Sequence, residues 1–508
     1  MEKMKFQKIT LFSGVMLALN SLIGSGWLFG AGTAAKVAGP AAILSWILGA
    51  IIIISIALTY VELGAMFPES GGMSRYAQYS HGPFLGFIAA WANWTHHFMK
   101  NGNITTPGLL VVFGFMLVFT LINFWSVKLM TRFTNLISIF KILLPTLTIV
   151  MLIVAGFHPS NFGHSVTTFM PYGSRSIFEA AAISGIIMSY DAFQTVINMG
   201  GEMINPRKNI VRGVLISMII TAVIYVMLQV AFIGAIDPNL LAQKGWHGIN
   251  YTSPFADIAI LLGMNWLAIL LYMDAFVSPF GTGVAFVATA SRALAAMTHT
   301  GHLPQWLGRL ERRYMIPRFA MVVDLILAVV MVSLFRNWSL LATVITGSTL
   351  IAYLTGPVTV MSLRKMDANL KRPFHPHFMS WLAPFAFVLT SLSIYWTMWP
   401  TTVQVIGVIL LGLPIYLYYE VKYRHASGLR DLRNSYWMLA YLVFISIVSY
   451  IGSEGFGGKD WLKYPWDFVV IIICSLGFYR WAVASRMKKI DPAAEKVNAK
   501  VKMPEKDQ

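Results

Sequence analysis

The sequence predicts an all-α integral membrane protein of about fourteen crossings. Of its 508 residues 57% are apolar and only 12% charged, where soluble domains carry roughly 25% charge. The apolar residues gather into runs near the twenty that a helix needs to cross a bilayer. Runs such as ILSWILGAIIIISIALTYV at 43–61 are continuously apolar, unlike the short strands of alternating polarity in a β-barrel. This composition excludes a soluble enzyme. A single cysteine, Cys474, excludes an intrachain disulfide and a cysteine-based zinc site.

The first span, 11–35, follows Lys3, Lys5 and Lys8, and is too long for a cleaved signal, whose core runs about 7–15 residues. The second, 41–66, ends before Pro68, and the third, 83–100, runs directly into NGNITTPG. Eighteen residues rise only about 27 Å as helix, barely a crossing. Lys128 and Arg132 divide the fourth span, 107–127, from the fifth, 134–156. Asn205-Pro206 closes off the sixth, 177–200, from the seventh, 213–235, and the eighth covers 255–290. The remaining six fall at 319–335, 340–363, 380–397, 401–419, 436–451 and 466–484. The polar segment 485–508 reads as a disordered tail.

With the amino terminus inside, 30 of the 38 Lys and Arg fall in inner loops, seven in outer loops, and Lys141 within a span. That asymmetry puts both termini in the cytoplasm and makes the charge of +17 a topology signal rather than a nucleic-acid one. The sequons at Asn103 and Asn250 fall in outer loops, and the pair His96 and His97 lacks the company a metal site needs.

Two spans break helix rules. Ile23-Gly24-Ser25-Gly26 opens a stretch with four glycines in the first span, and each glycine costs a helix interior about 1 kcal/mol relative to alanine. The sixth span carries Ser189-Tyr190-Asp191-Ala192-Phe193-Gln194 and then Asn198, Gly200, Gly201 and Glu202. The two spans correspond if the first ten helices are two inverted repeats of five, and such paired interruptions point to a transporter binding site. Gly24, Ser25 and Gly26 would offer backbone amides to a carboxylate at a half-helix start; close helix packing through small residues is the competing reading.

Charges inside the bilayer are expensive and mark function or a partner. Lys141 is a candidate proton carrier or a structural cation. Asp191 suits a substrate amine, a proton or a helix cap. Asp274, Ser278 and Thr282 share one helical face, lining water or packing against a neighbour, beside Pro279 and Gly281. Glu202 and Asn198 head an inner loop as candidates for an interface ion pair or an inner gate, to which Glu69, Arg75 and Glu62 would add.

On these residues the sequence resembles the amino acid–polyamine–organocation (APC) superfamily, most closely the amino acid permease branch with aspartate–proton symporter-like members. The resemblance is carried by IGSGWLFG in the first span, ELGAMFPESGG after the second, AFQTVINMGGEMINPRKNI in the sixth and DAFVSPFGTG in the eighth, and covers about 10–375. It implies a ten-helix inverted-repeat core over 11–363, with repeats 11–156 and 177–363 and discontinuous first and sixth helices. Four peripheral helices over 364–484 would follow, framed by a cytoplasmic amino terminus (1–10) and tail. The implied function is import of amino acids across the cell (inner) membrane by proton symport with alternating access. Exchange of amino acids or amines, and a non-transporting sensor derived from a transporter, are the alternatives. Gly24, Ser25 and Gly26 match the family's carboxylate-binding segment, with Ala192 and Phe193 at the opposite break and the Phe193 ring as a gate; Ile23, Tyr190, Asp191 and Gln194 complete the candidate substrate site. Lys141 matches a lysine that replaces a sodium ion in proton-coupled members. Gln194 stands where many members carry glutamate, Ala192 replaces a glycine, and the third span is shorter than theirs. The implied partners are an amino acid, protons and the lipid bilayer, with no nucleic acid, metal or cofactor.

Overall fold

The computed structural model describes residues 8–95, 106–125, 127–299, 301, 303–311, 316–334, 347–367, 369–423 and 433–499. His96, His97, the Asn103 sequon, the end of the third span and the tail beyond 499 lie outside them. The described chain is almost wholly helical, and it leaves helix where the sequence departs from helix rules. α1 (Leu11–Leu22) starts at Thr10, whose hydroxyl accepts the Ser13 N–H at 3.2 Å, and stops at Ile23. After Gly24-Ser25-Gly26 the crossing resumes as α2 (Trp27–Ala38). α3 (Ala42–Met66) is the second crossing, α4 (Met73–His81) a short connecting helix, and α5 (Pro83–Thr95) the described part of the third. α6 (Thr106–Trp125) and α7 (Val127–Gly156) complete the first five. α7 starts seven residues before the expected 134, because hydropathy marks the bilayer edge while no Pro or Gly stops the helix there.

The sixth crossing comes in pieces. α8 (Val166–Phe169) precedes α9 (Arg175–Ile183), Gly185 turns to φ +72°, and α10 (Ile186–Ser189) and α11 (Gln194–Asn198) follow. α12 (Pro206–Ala235) starts on a proline, whose missing N–H costs a helix nothing at that position. Past α13 (Pro238–Gly248), the single eighth span expected over 255–290 is corrected to α14 (Pro254–Leu261) and α15 (Asn265–His299), separated where Gly263 takes φ +76°. α16 (Arg318–Leu334) is the ninth crossing. The described part of the tenth is α17 (347–353) and α18 (Thr355–Met366), interrupted at Leu354. Pro357 has no N–H to return to the Tyr353 carbonyl, four residues back.

α19 (Met379–Tyr395) follows. The expected span 401–419 divides into α20 (Thr401–Leu410) and α21 (Leu413–Tyr423), where Pro414 likewise leaves the Leu410 carbonyl without a donor. α22 (Tyr436–Ile451) and α23 (Trp466–Ala484) fall where expected. The tail is a correction, since α24 (Pro492–Ala499) is helical and docked. Ala494 and Asn498, one turn apart, are buried, and the Asn498 amide accepts the Lys371 N–H at 2.9 Å and donates to the Lys371 carbonyl at 3.0 Å. Its polarity hid an amphipathic face only eight residues long.

α1 packs against α7, α12 and α15, α3 lies along α12, and the two interrupted crossings meet through α1 with α11 and α2 with α9. α19 joins the later helices to this core through α3, with α23 against its other side.

Candidate functional site

A helix that stops inside a membrane leaves carbonyls that no further turn will use. At the end of α1 other helices supply the donors. The Lys141 amine of α7 donates to the Asn20 carbonyl at 2.6 Å and to the Thr282 hydroxyl at 2.8 Å, and Thr282 itself donates to Asn20 O at 3.1 Å. Tyr225 of α12 donates to Leu22 O at 2.9 Å and Ser278 to Ile23 O at 3.2 Å. The polar stripe of α15 therefore faces the first break rather than lipid. Close approach is possible because position 281 is glycine: a Cβ there would lie 2.5 Å from both Asn20 Oδ1 and Ile137. Lys141 is fully buried, and a cation at a helix carboxyl end complements the dipole.

Beyond the break the polarity reverses. Among the described residues the Ser25, Gly26 and Trp27 N–H groups at the start of α2 reach no acceptor. Ser25 is half-buried and Gly26 exposed, so their amides are open to a ligand, while Trp27 is buried behind them. The Trp27 indole N–H donates to Asp274 Oδ2 at 3.2 Å. Asp274 is 0% exposed, and its second oxygen has no hydrogen-bond partner among the described residues.

The sixth crossing stands opposite: a Cβ on Gly26 would lie 3.2 Å from Ser189 Oγ. Here the backbone unwinds over Tyr190–Phe193, and Ala192 takes φ +96°, a left-handed conformation that alanine adopts at a cost. Asp191 Oδ1 accepts the Ala192 N–H at 2.7 Å and the Tyr353 hydroxyl, which also lies 2.5 Å from Gln194 Oε1. The Phe193 ring packs 4.9 Å from Tyr353 and 6.1 Å from Tyr60, while Tyr190 packs into Trp46 and Tyr225. Asp191 and Tyr353 meet Ile53, Ile187, Thr349 and Leu350 around a crevice too narrow for a water molecule. Tyr60, Tyr225 and Tyr353 escaped sequence reasoning, because a tyrosine in an apolar span gives no signal of where its hydroxyl ends.

Asn198 and Glu202 lie at the far end of this crossing. The Asn198 carbonyl accepts Gly71 N–H at 2.7 Å and its amide oxygen accepts Met73 N–H at 3.3 Å. Gly71, at φ +68°, wedges against α15, where a Cβ would lie 2.6 Å from the Arg292 carbonyl. Glu202 is taken by Arg292 of α15 rather than by a cation of its own loop, through two bonds of 2.5 and 2.9 Å. Glu62 pairs likewise with Arg364 at 2.8 and 2.6 Å, and Glu69 with Arg75 at 2.6 Å and with the Tyr79 hydroxyl. This end is tied together by paired charges.

A family profile described as amino acid permease matches residues 9–418. The chain is 45% identical to a glutamate/serine transporter of Bacillus subtilis (strain 168), over 94% of each chain. It is 33% identical to an aspartate-proton symporter of the same organism, over 95% of this chain and 98% of the other. A branched-chain amino acid permease, also from Bacillus subtilis, is 24% identical over 83% of this chain and 95% of its own. With its interrupted first and sixth crossings, the chain belongs to the amino acid permease family of multi-pass membrane transporters.

Proposed function

We propose that the protein imports amino acids across the cell membrane together with protons, by alternating access around the two facing breaks. The observation that carries this is the pairing of unengaged amides at Ser25, Gly26 and Trp27 with a buried carboxylate at Asp191 on the opposite break. That array suits a zwitterion: the amides and the positive end of α2 take the α-carboxylate, and Asp191 with the Tyr190–Phe193 carbonyls takes the ammonium. Ile23 and Gly24 shape the first half of the site, and Ala192, Phe193 and Gln194 the second. The Phe193 ring between Tyr60 and Tyr353 closes over the substrate.

Lys141 couples the proton to the conformational change, because its amine ties the end of α1 to α7 and α15. Ser278 and Thr282 complete that joint with Asp274 above them, and Asn198 with Glu202 forms the inner gate. Two repeats, 11–156 and 177–363, would rock around the site, with helices over 364–484 peripheral. The excess of Lys and Arg in alternate loops supports cytoplasmic termini. The two relatives named as a glutamate/serine transporter and an aspartate-proton symporter support small polar amino acids as substrates.

Proteoliposomes test the reading. Labelled amino acid should accumulate under an imposed inward proton gradient. Counterflow without gradient-driven uptake would replace symport by exchange, and no flux of any amino acid in either assay would sink transport altogether.

A further inference from the structure

We propose that Asp274 carries the coupled proton, and that the arriving substrate carboxylate is what draws it in. The inference rests on the reading above in one respect, that a carboxylate binds at the Ser25, Gly26 and Trp27 amides.

The two buried charges near the first break are served very differently. Lys141 gives its amine protons to a helix-end carbonyl and a hydroxyl, 2.6 and 2.8 Å away, in the negative field of α1. Both partners are acceptors that satisfy an ammonium. Asp274 is equally buried, yet its carboxyl receives one indole N–H at 3.2 Å on Oδ2, and Oδ1 has no partner among the described residues. Among the described residues no Lys or Arg is paired with it within ion-pair distance. The titratable groups that face it are Lys141 from α7 and Tyr225 from α12, with Ser278 on its own helix. A carboxylate in that position costs several kcal/mol when water is shut out, and a carboxylic acid does not.

Trp27 links this acid to the substrate. Its backbone N–H belongs to the unengaged amides, and its indole N–H is the donor on Asp274. An amino acid carboxylate on those amides is therefore joined to Asp274 through a single residue, and two negative charges so placed repel until one is relieved by a proton. The step is proton binding alone: the carboxylate takes up one H⁺ as the site fills and returns it to water when the site opens on the other side. Substrate and proton then strengthen each other's binding by the same factor.

Calorimetry of the purified full-length protein in buffers of different ionisation enthalpy, with glutamate and serine as probes, reads the protons taken up per amino acid bound. About one is expected for the parent and for Asp274→Glu, and none for Asp274→Asn. Unchanged uptake in Asp274→Asn overturns the proposal. A second arm needs no substrate. The infrared difference spectrum between low and high pH should contain a carboxylic-acid C=O band that Asp274→Asn lacks, and Trp27→Phe, which keeps the carboxyl and removes its donor, should move that band's pH midpoint. A full set of bands in Asp274→Asn, or an unmoved midpoint in Trp27→Phe, overturns it. If no amino acid binds the parent, the transport reading fails, while the infrared arm still decides whether Asp274 holds a proton.

Discussion

The two helix breaks solve the same problem in opposite ways. At the first, every side chain that meets the loose carbonyls comes from another helix: Lys141 from α7, Tyr225 from α12, Ser278 and Thr282 from α15. At the sixth, Asp191 folds back on the Ala192 N–H, and Tyr353 from the tenth crossing holds both Asp191 and Gln194. The first break is thus built into the surrounding frame, whereas the sixth combines the Tyr353 hydroxyl with a strained backbone. On the proposed reading the first break is a fixed platform for the substrate carboxylate and the sixth a hinge that the substrate resets.

The largest effect tests the fixed side. Lys141→Ala removes the cation on the Asn20 carbonyl of α1, and gradient-driven uptake should fall to background while amino acid binding, read by thermal shift, persists. Uptake with unchanged pH dependence in that variant would remove the coupling role. Next in size is the charge pair that anchors the far end of the sixth crossing. Glu202→Gln leaves Arg292 buried without its counter-charge, a change that costs about 3–5 kcal/mol in comparable buried pairs. The inner end should then open more often. A Ser70→Cys probe beside Gly201, in a Cys474→Ser background, should be alkylated faster when Glu202→Gln is added; an unchanged rate would show that the pair does not hold the gate.

Why the comparison was only half visible in the sequence follows from the kind of information each part uses. The breaks themselves were legible, since glycine density at 24–32 and polar residues at 189–202 violate helix rules locally. Lys141 was legible because a lone charge in an apolar run is conspicuous. The partner of each was not. Asn20 is 121 residues from Lys141, and Tyr353 is 162 from Asp191; neither separation leaves a trace in periodicity. Long-range partners are set by which helices pack together, and a tyrosine that serves a carboxylate has the same hydropathy signal as one that fills a core. The docked helix α24 was missed for the reverse reason: composition averaged over the tail concealed the two small residues, Ala494 and Asn498, that meet the core.

A smaller effect is expected at Tyr353. Tyr353→Phe keeps the ring packing on Phe193 and deletes the hydroxyl shared by Asp191 and Gln194. Leaving buried acceptors short of a donor costs about 1–3 kcal/mol, and if the loss falls on the proposed binding face it should appear as KM raised roughly 10-fold with little change in overall stability. A lowered thermal midpoint with unchanged KM would make Tyr353 a packing residue only.

The smallest change probes the hinge directly. Ala192 sits at φ +96°, where a Cβ is unfavourable by about 1–2 kcal/mol. Glycine would remove that strain but add freedom to the unfolded chain, which offsets roughly 0.4–1 kcal/mol. The net expectation for Ala192→Gly is therefore a gain in stability of about 1 kcal/mol or less, seen as a slight rise in thermal midpoint. The sign is the informative part. A rise means that Tyr353 and Asp191 hold the unwound segment against its own backbone preference, so that strain is stored where the substrate ammonium would bind. A fall means that the methyl group of Ala192, itself 1% exposed, contributes more by packing than its conformation costs. The sixth break would then be as fixed as the first, and the contrast between platform and hinge would have to be sought in the inner charge pairs instead.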